Sequence, residues 1–193
     1  MRERYNKIIS ILRKWESCGN RKTNNGTEII CNVPNVAPNA WLHKIYGKLD
    51  ENPIKHIQSE LNTTLPNDFI EFISIANGIN IFSDSLSVWG VKSSNARAGD
   101  EAIQPYDIIE LNQEYKPPKN ILIIGSYSWD GSIVLYDLNK SNKKIFRCHR
   151  DELTKLNEWD SICDWLECEV VRLSSLFDKN GYEYDEDTPT IPE

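Results

Sequence analysis

The residue types most often used in catalysis and metal binding are scattered along this 193-residue sequence rather than grouped into a motif. The histidines His43, His56 and His149 have no H-x-x-x-H spacing, and the five cysteines include no C-x-x-C pair. A structural zinc site therefore has no support in the sequence. Cys148 precedes His149, but neighbours on a strand point to opposite faces, which disfavours a thiolate–imidazole pair. We predict that the chain holds no metal and no cofactor.

One segment rich in glycine and serine, residues 125–131, has the composition of a phosphate-binding loop but not its pattern. A phosphate loop needs a lysine and a following helix, whereas an apolar strand pattern follows here. The Asp-Gly pair is typical of a tight hairpin turn, which leaves Tyr127, Trp129 and Asp130 as candidate contact residues at a loop tip. No nucleophile elbow or dinucleotide fingerprint occurs, and the many carboxylates are interpreted as surface charge. We predict that this protein is not an enzyme.

Hydrophobic periodicity indicates which elements position these residues. Helix patterns cover residues 5–16, 53–61, 65–76 and 159–177. Strand patterns cover residues 27–33, 79–82, 86–91, 107–111, 121–124, 133–138 and 144–148, with a turn at 139–142. The continuous apolar run at 121–124 suits a strand buried on both faces. The order of elements predicts an α+β fold, a mostly antiparallel β-sheet with N-terminal helices and a C-terminal helix packed on it.

The closing helix pattern carries an apolar stripe and an acidic flank. The stripe must pack on the sheet, and beside it Asp160, Asp164 and Glu167 form an acidic ridge, with Trp165 on the opposite flank. The ridge is a candidate surface for a basic partner, and Trp165 and Trp129 are candidate aromatic anchors. Burial of both tryptophans under the N-terminal segment is the alternative that the sequence leaves open.

Charge divides the chain unevenly. Residues 1–49 carry a net charge of +6, and residues 50–193 carry −13, for a total of −7. We predict a basic N-terminal extension (1–49), an α+β domain (50–178) and an unstructured acidic C-terminal tail (179–193). So acidic a surface repels nucleic acid and anionic lipid and speeds encounter with basic partners. Solubility alone is an equally good explanation of the charge.

The location of the protein follows from what the sequence lacks. No stretch approaches the roughly 18–20 uncharged apolar residues of a transmembrane helix. Charged residues begin at Arg2 with no apolar signal segment behind them, and an odd number of cysteines fits a reducing compartment. We expect a cytoplasmic protein.

Several short motifs, taken in order, resemble the SUKH superfamily of Smi/Knr-like domains, and the likeness covers about residues 50–177. They are the helix Ile54-x-x-Ile57 with Glu60-Leu61, the helix start Leu65-Pro66-Asn67-Asp68-Phe69, the closing pair Asn77-Gly78, the strand 86–91 with Trp89-Gly90, the hairpin 123–137 with Asp130-Gly131, and the helix start at 159–166.

The resemblance implies mostly antiparallel strands with helices at the start and the end. Bacterial members of the superfamily are commonly immunity proteins that bind and neutralise a toxin domain, and other members are regulatory interaction modules. The resemblance therefore implies that the chain binds a protein without catalysis. The expected partner is a basic, nuclease-type toxin domain, and the alternative is a cellular protein. The role of residues 1–49 and the oligomeric state stay open.

Overall fold

The structure, a computed structural model, describes residues 2–139 and 144–193. Within these residues nine strands form one antiparallel sheet, in which each strand pairs with the next along the chain. The strands are β1 (Asn20–Lys22), β2 (Glu28–Asn32), β3 (Trp41–Ile45), β4 (Ile79–Ile81), β5 (Leu86–Val88), β6 (Ile121–Tyr127), β7 (Ile133–Asp137), β8 (Ile145–Cys148) and β9 (Lys155–Trp159).

Five α-helices accompany this sheet in the described part of the chain, and the predicted α+β fold is confirmed. They are α1 (Arg2–Leu12), α2 (Glu51–Glu60), α3 (Asn67–Ile73), α4 (Ile108–Tyr115) and α5 (Ile162–Ser174). A 3-10 helix (Arg13–Cys18) follows α1 directly. No helix within residues 2–139 and 144–193 is long and apolar enough to cross a membrane.

The N-terminal segment shares its sheet and its core with the rest of the chain. Strands β1 to β3 continue the sheet beyond β4, and α1 packs against α5. Tyr5, Ile8 and Leu12 of α1 are buried in the same apolar cluster as Leu166 and Leu173 of α5. Because α1 covers α5, the acidic flank of α5 meets the basic N-terminal segment.

The strand predicted at residues 107–111 is wrong, because the chain there forms helix α4. Asp107 caps that helix: its carboxylate accepts hydrogen bonds from the backbone N–H groups of Ile109 and Glu110, both at 2.9 Å. Asn112 docks α4 on β6, donating to the Ile123 carbonyl (2.8 Å) and accepting from the Ile123 N–H (2.9 Å). The paired isoleucines that suggested a strand are therefore the buried face of a helix.

Three strands, β1, β3 and β9, were not predicted. Every residue of β1 is exposed and β9 is mostly exposed, so neither carries the alternation of a half-buried strand. Trp159 ends β9 rather than opening the closing helix, which begins after Ser161, whose hydroxyl accepts from the Asp164 N–H at 3.1 Å. Of the turn predicted at 139–142, residues 140–142 lie outside the described residues.

The Asn77-Gly78 pair that resembles a family motif has a structural role. The Asn77 side chain donates to the Val91 carbonyl (2.7 Å) and accepts from the Val91 N–H (2.8 Å), which ties the end of α3 to the chain after β5. Gly78 has a φ of 84°, and a Cβ there would lie 2.4 Å from the Val88 carbonyl oxygen. Only glycine fits this position.

Candidate partner-binding surface

The acidic ridge of α5 is partly neutralised within the chain. Arg4 of α1 donates two hydrogen bonds to Glu167 (3.1 and 2.7 Å) and one to Asp164 (2.7 Å). These contacts lower the pKa of Glu167, and the Ser161 hydroxyl together with Arg4 lowers the pKa of Asp164. The third member, Asp160, is largely exposed and lies 3.4 Å from Lys144. The ridge therefore has less free negative charge than its sequence suggests.

Tyr127 is buried, which corrects the expectation that it lies at a loop tip, and Trp165 is buried as well, so of the alternatives left open for it the surface anchor is wrong. The Trp165 indole N–H donates to the Tyr127 hydroxyl at 2.9 Å inside the core, and both side chains are fully buried. Burial, and secondarily the nearby Glu169, raises the pKa of Tyr127 well above its ordinary value. Tyr127 ends strand β6 and does not lie on the loop tip, so neither residue is available to a partner.

The hairpin turn between β6 and β7 exposes Trp129, for which the sequence left both exposure and burial open. Trp129 is 45% exposed. Asp130 beside it accepts from the buried guanidinium of Arg147 at 2.5 Å and from the Ser132 N–H at 3.0 Å. Burial opposes ionisation of Asp130, but the hydrogen bonds from Ser132 and Arg147 hold its pKa below its ordinary value. Asp130 thus fixes the turn from within and leaves Trp129 facing outward.

The C-terminal segment was predicted to be unstructured, yet it packs on the sheet without forming a helix or a strand. Its first turn presents three consecutive carbonyls to the N-terminal segment. The Asp178 carbonyl accepts from the Trp15 indole N–H (2.7 Å), the Lys179 carbonyl from the Cys18 thiol (3.2 Å) and the Asn180 carbonyl from the Cys31 thiol (3.3 Å). The segment is therefore held where it leaves α5.

The far end of this segment is held by side chains of the sheet and of α5. Arg172 donates to the Thr190 carbonyl at 2.9 Å, and Arg147 donates to the Pro192 carbonyl at 3.1 Å. The Asn157 amide donates to Glu193 at 3.0 Å, and Thr190 itself is buried. Arg147 binds both Asp130 and Pro192, so one buried cation connects the hairpin turn to the C-terminus.

Between these two anchors the chain exposes acidic and aromatic side chains. Asp185, Glu186 and Asp187 are exposed, Glu183 is half-buried, and Tyr184 is 71% exposed. None of the four carboxylates forms an ion pair with any residue that the structure describes. This stretch, residues 182–187, is called the acidic segment below.

The acidic segment and the hairpin turn border one cleft of about 310 Å³, called the acidic cleft below. Glu183 and Glu186 line it together with Trp129 and Val36. Burial, followed by the charge of Glu186, raises the pKa of Glu183 above its ordinary value. The remaining lining residues are Asn35, Ser83, Ser85, Ser128, Gly181 and Thr190.

A larger cleft, about 810 Å³, lies between α1, the β1–β2 turn and the chain after β3. Its charged residues are mostly basic: Lys22 and Lys48 have no carboxylate partner among the residues described, and Arg13 binds the single acid, Glu28, at 2.7 Å. Size alone would favour this cleft, but its charge has the wrong sign for a basic partner. The described residues contain no cluster of side chains that could hold a metal ion.

The sequence named Trp129 as a candidate contact residue but gave no indication of the acidic cleft. The charges at 183–187 were visible, whereas the packing of the segment depends on anchors more than 140 residues away, such as Trp15 and Cys31. Gly181 was the available signal. Its φ is 84°, and a Cβ there would lie 2.7 Å from the Cys31 sulfur, so the turn requires glycine.

Comparisons with known proteins agree with this fold. The sequence model of the SMI1 / KNR4 family (SUKH-1) matches residues 48–168. The uncharacterized protein YnaB of Bacillus subtilis (strain 168) is 28% identical over 141 residues, which cover 72% of this chain and 84% of YnaB. A crystal structure of a protein from Pseudomonas syringae pv. tomato resembles it with a TM-score of 0.50 and 15% identity, over 84% of this chain and 95% of that one.

The structural likeness supports the fold alone, because 15% identity is too low to carry more. The family match is broader evidence, since residues 48–168 are well over half of the chain. They include the Leu65-Pro66 helix start, the Asn77-Gly78 pair and the β6–β7 hairpin. This chain belongs to the SMI1 / KNR4 family (SUKH-1).

Proposed function

We propose that this chain is an immunity protein that binds and neutralises a basic, nuclease-type toxin domain without catalysing a reaction. The observation that carries the proposal is the acidic segment, in which Glu183, Asp185, Glu186 and Asp187 lack cationic partners in the described structure although both ends of the segment are held in place. Family membership supports protein binding as the kind of function.

Two physical properties make this segment suited to a basic partner. Unpaired carboxylates on one surface attract a basic domain and raise its association rate, an effect that salt screens. Trp129 and Tyr184 add exposed aromatic area beside the charges, and aromatic side chains dominate the energy of many protein interfaces. Because both ends of the segment are anchored, it loses less conformational entropy when it becomes ordered on binding.

Nuclease toxins bind nucleic acid through basic surfaces. An acidic surface on this chain competes with that substrate for the same groups, so binding and inhibition are one event. Because the mechanism is occlusion, it needs no proton transfer and no nucleophile from this chain. Asp160, just before α5, keeps an exposed carboxylate although it lies 3.4 Å from Lys144, and we include it in the proposed contact surface as a peripheral charge.

The test is a growth experiment with a captured partner. A tagged form of the chain is purified from its native cells with low-salt and high-salt washes, and each stoichiometric partner is expressed alone and together with this chain. We expect a basic partner that stops growth alone and is neutralised on co-expression. The variant Glu186→Lys/Asp187→Lys should lose protection, whereas the matched variant Glu114→Lys/Asp151→Lys, with the same charge change elsewhere, should keep it.

A partner that is harmless when expressed alone would contradict the toxin reading and favour a regulatory interaction module. Equal loss of protection in both charge-reversed variants would contradict the assignment of the surface, because net charge rather than the acidic segment would then govern binding.

A further inference from the structure

We propose that Cys18 and Cys31 are a redox pair, which hydrogen peroxide joins in a reversible disulfide that loosens the start of the acidic segment. The disulfide itself is independent of the proposed function, whereas its consequence for partner binding rests on that function. Three observations carry the proposal: the adjacent backbones of the two cysteines, the turn that accepts from both thiols, and the left-handed backbone at Cys31.

The backbones of the two cysteines are adjacent. Cys18 ends the 3-10 helix that follows α1, and Gly19 is the next residue. The Gly19 carbonyl accepts from the Cys31 N–H at 2.7 Å, which continues the β1–β2 pairing by one residue beyond Asn20 and Ile30. Directly paired residues of antiparallel strands have Cα atoms about 4.5–5.5 Å apart. Cys18, one residue before Gly19, is therefore near enough to Cys31 for the short reach of a disulfide.

The two thiols also lie side by side against one turn. The Sγ atom of Cys18 donates to the Lys179 carbonyl at 3.2 Å, and that of Cys31 donates to the next carbonyl, Asn180, at 3.3 Å. Burial, followed by the charge and the hydrogen bonding of the Cys18 thiol, raises the pKa of Cys31 to about 12. One thiol hydrogen-bonds another only over a short distance, so the side chains as well as the backbones suit a disulfide.

The backbone of Cys31 is unusual for a residue within a strand. Its φ is 60°, in the left-handed region that a residue with a Cβ adopts at a cost. Such conformations persist where surrounding contacts hold them, and they are enriched at functional sites. Here the position that carries the cost presents its thiol to the turn that leads into the acidic segment.

The oxidation balances with one molecule of hydrogen peroxide. Cys18 is partly exposed and Cys31 is buried, so the peroxide reaches Cys18 first. The Cys18 sulfur attacks one peroxide oxygen and the O–O bond breaks, which gives a sulfenic acid and one water. The Cys31 sulfur then attacks the Cys18 sulfur, the S–O bond breaks, and hydroxide leaves with the Cys31 proton as a second water. The two thiols lose two electrons, which the peroxide gains. Because its raised pKa keeps Cys31 protonated, we expect this second step to be the slower one.

The disulfide removes both S–H donors from the turn before the acidic segment. The carbonyls of Lys179 and Asn180 lose these partners, while the Trp15 indole N–H still donates to the Asp178 carbonyl. A thiol is a weak donor, so we expect the turn to loosen rather than to detach. Under the proposed function, the oxidised chain binds its partner less tightly, because a looser segment loses more conformational entropy on binding.

The first measurement is mass spectrometry of the full chain. The purified protein is treated with hydrogen peroxide, its remaining thiols are blocked with N-ethylmaleimide, and it is digested with trypsin. Trypsin cuts at the basic residues around each cysteine and leaves the two in separate peptides, 15–21 and 23–44. We expect these peptides to be joined, and to separate again with dithiothreitol. Absence of the joined peptides, or a comparable yield of Cys168 joined to either cysteine, would overturn the pair.

The second measurement is hydrogen exchange at the Tyr184 amide, which donates to the Leu176 carbonyl at 2.9 Å and reports on the start of the acidic segment. We expect oxidation to speed this exchange about threefold and dithiothreitol to reverse the change. Cys18→Ser keeps a hydroxyl donor for the Lys179 carbonyl but forms no disulfide, so its exchange should not respond to peroxide. Cys168→Ser should respond like the unaltered chain. A disulfide that leaves the exchange unchanged would contradict the coupling to the acidic segment.

Neither measurement needs the partner, so the two proposals fail separately. Joined peptides with faster exchange support the redox pair even if no toxin is captured. A captured toxin that is neutralised by a chain unable to form the disulfide leaves the proposed function intact and overturns the redox pair.

Discussion

Replacing Arg147 with methionine should lower the stability of the fold and loosen both the hairpin turn and the C-terminal segment that Arg147 holds. The Arg147 guanidinium binds the carboxylate of Asp130 (2.5 Å), the hydroxyl of Ser132 (2.8 Å), the amide oxygen of Asn157 (2.9 Å) and the carbonyl of Pro192 (3.1 Å). Its side chain is 5% exposed and that of Asp130 is 24% exposed. Methionine keeps most of the length and removes every donor.

The loss in the free energy of unfolding follows from the burial of this ion pair. Removing one partner of a buried ion pair costs about 3–5 kcal/mol, since the other charge stays buried without compensation. Asp130 keeps some contact with water and the hydrogen bond from the Ser132 N–H, so the lower end applies, about 3 kcal/mol. For a chain of this size that corresponds to a fall in Tm of about 6–12 °C.

Urea denaturation followed by tryptophan fluorescence measures the loss, and Arg150→Met is the control. Arg150 is exposed, and its guanidinium lies 4.7 Å from the ring centroid of Tyr115, so we expect that variant to lose at most about 1 kcal/mol. Hydrogen exchange should also show faster exchange at the Tyr184 amide in Arg147→Met, because the C-terminus loses one anchor. Equal stability of the two variants would refute the reasoning.

Three further predictions concern other contacts. Arg4→Ala should cost about 0.5–1 kcal/mol in urea denaturation, because its pairs with Asp164 and Glu167 are partly exposed, and high salt should shrink the difference. His43 is fully buried, which lowers its pKa to about 3, so between pH 6.5 and 3 the unfolded chain takes up a proton that the folded chain refuses. The free energy of unfolding therefore decreases as the pH is lowered through that window, by about 2.7 kcal/mol at pH 4.5 relative to neutral pH. His43→Gln should lose that part of the acid sensitivity, while the part due to the carboxylates remains. Asp107→Ala should cost about 1–2 kcal/mol by thermal or urea denaturation through loss of the α4 cap; an unchanged midpoint would contradict the capping role.

Patterns that depend on neighbours in sequence predicted most of the fold. The helix from Asn67, the buried strand β6 and the hairpin at Asp130-Gly131 were all indicated by periodicity or turn chemistry. Where exposure is nearly complete, as in β1, periodicity contains no signal, and the strand exists because its backbone pairs with β2. Helix α4 was missed because two adjacent isoleucines fit a strand until the Asp107 cap is recognised.

The site was harder to predict than the fold, because it depends on contacts between distant segments. The helical wheel placed Trp165 away from the apolar stripe, yet the helix is covered on two sides, by the sheet and by α1, so its buried face is wider than one stripe. The opposite charges of α1 and α5 were visible, but only the packing of α1 on α5 brings Arg4 to Glu167.

Residues before position 48 lie outside the family match but contribute to the proposed surface. Trp15, Cys18 and Cys31 hold the turn that leads into the acidic segment, and Val36 lines the acidic cleft. The N-terminal segment therefore holds the start of the acidic segment in place and also lines part of the acidic cleft.

The most direct test of the central claim is the association rate of the purified chain with its captured toxin, measured by stopped flow across a range of salt concentrations. We predict a fast rate that falls steeply with salt, and a slower, less salt-sensitive rate for Glu186→Lys/Asp187→Lys than for Glu114→Lys/Asp151→Lys. A rate that does not depend on salt, or that both variants change equally, would contradict the claim that the acidic segment meets a basic partner.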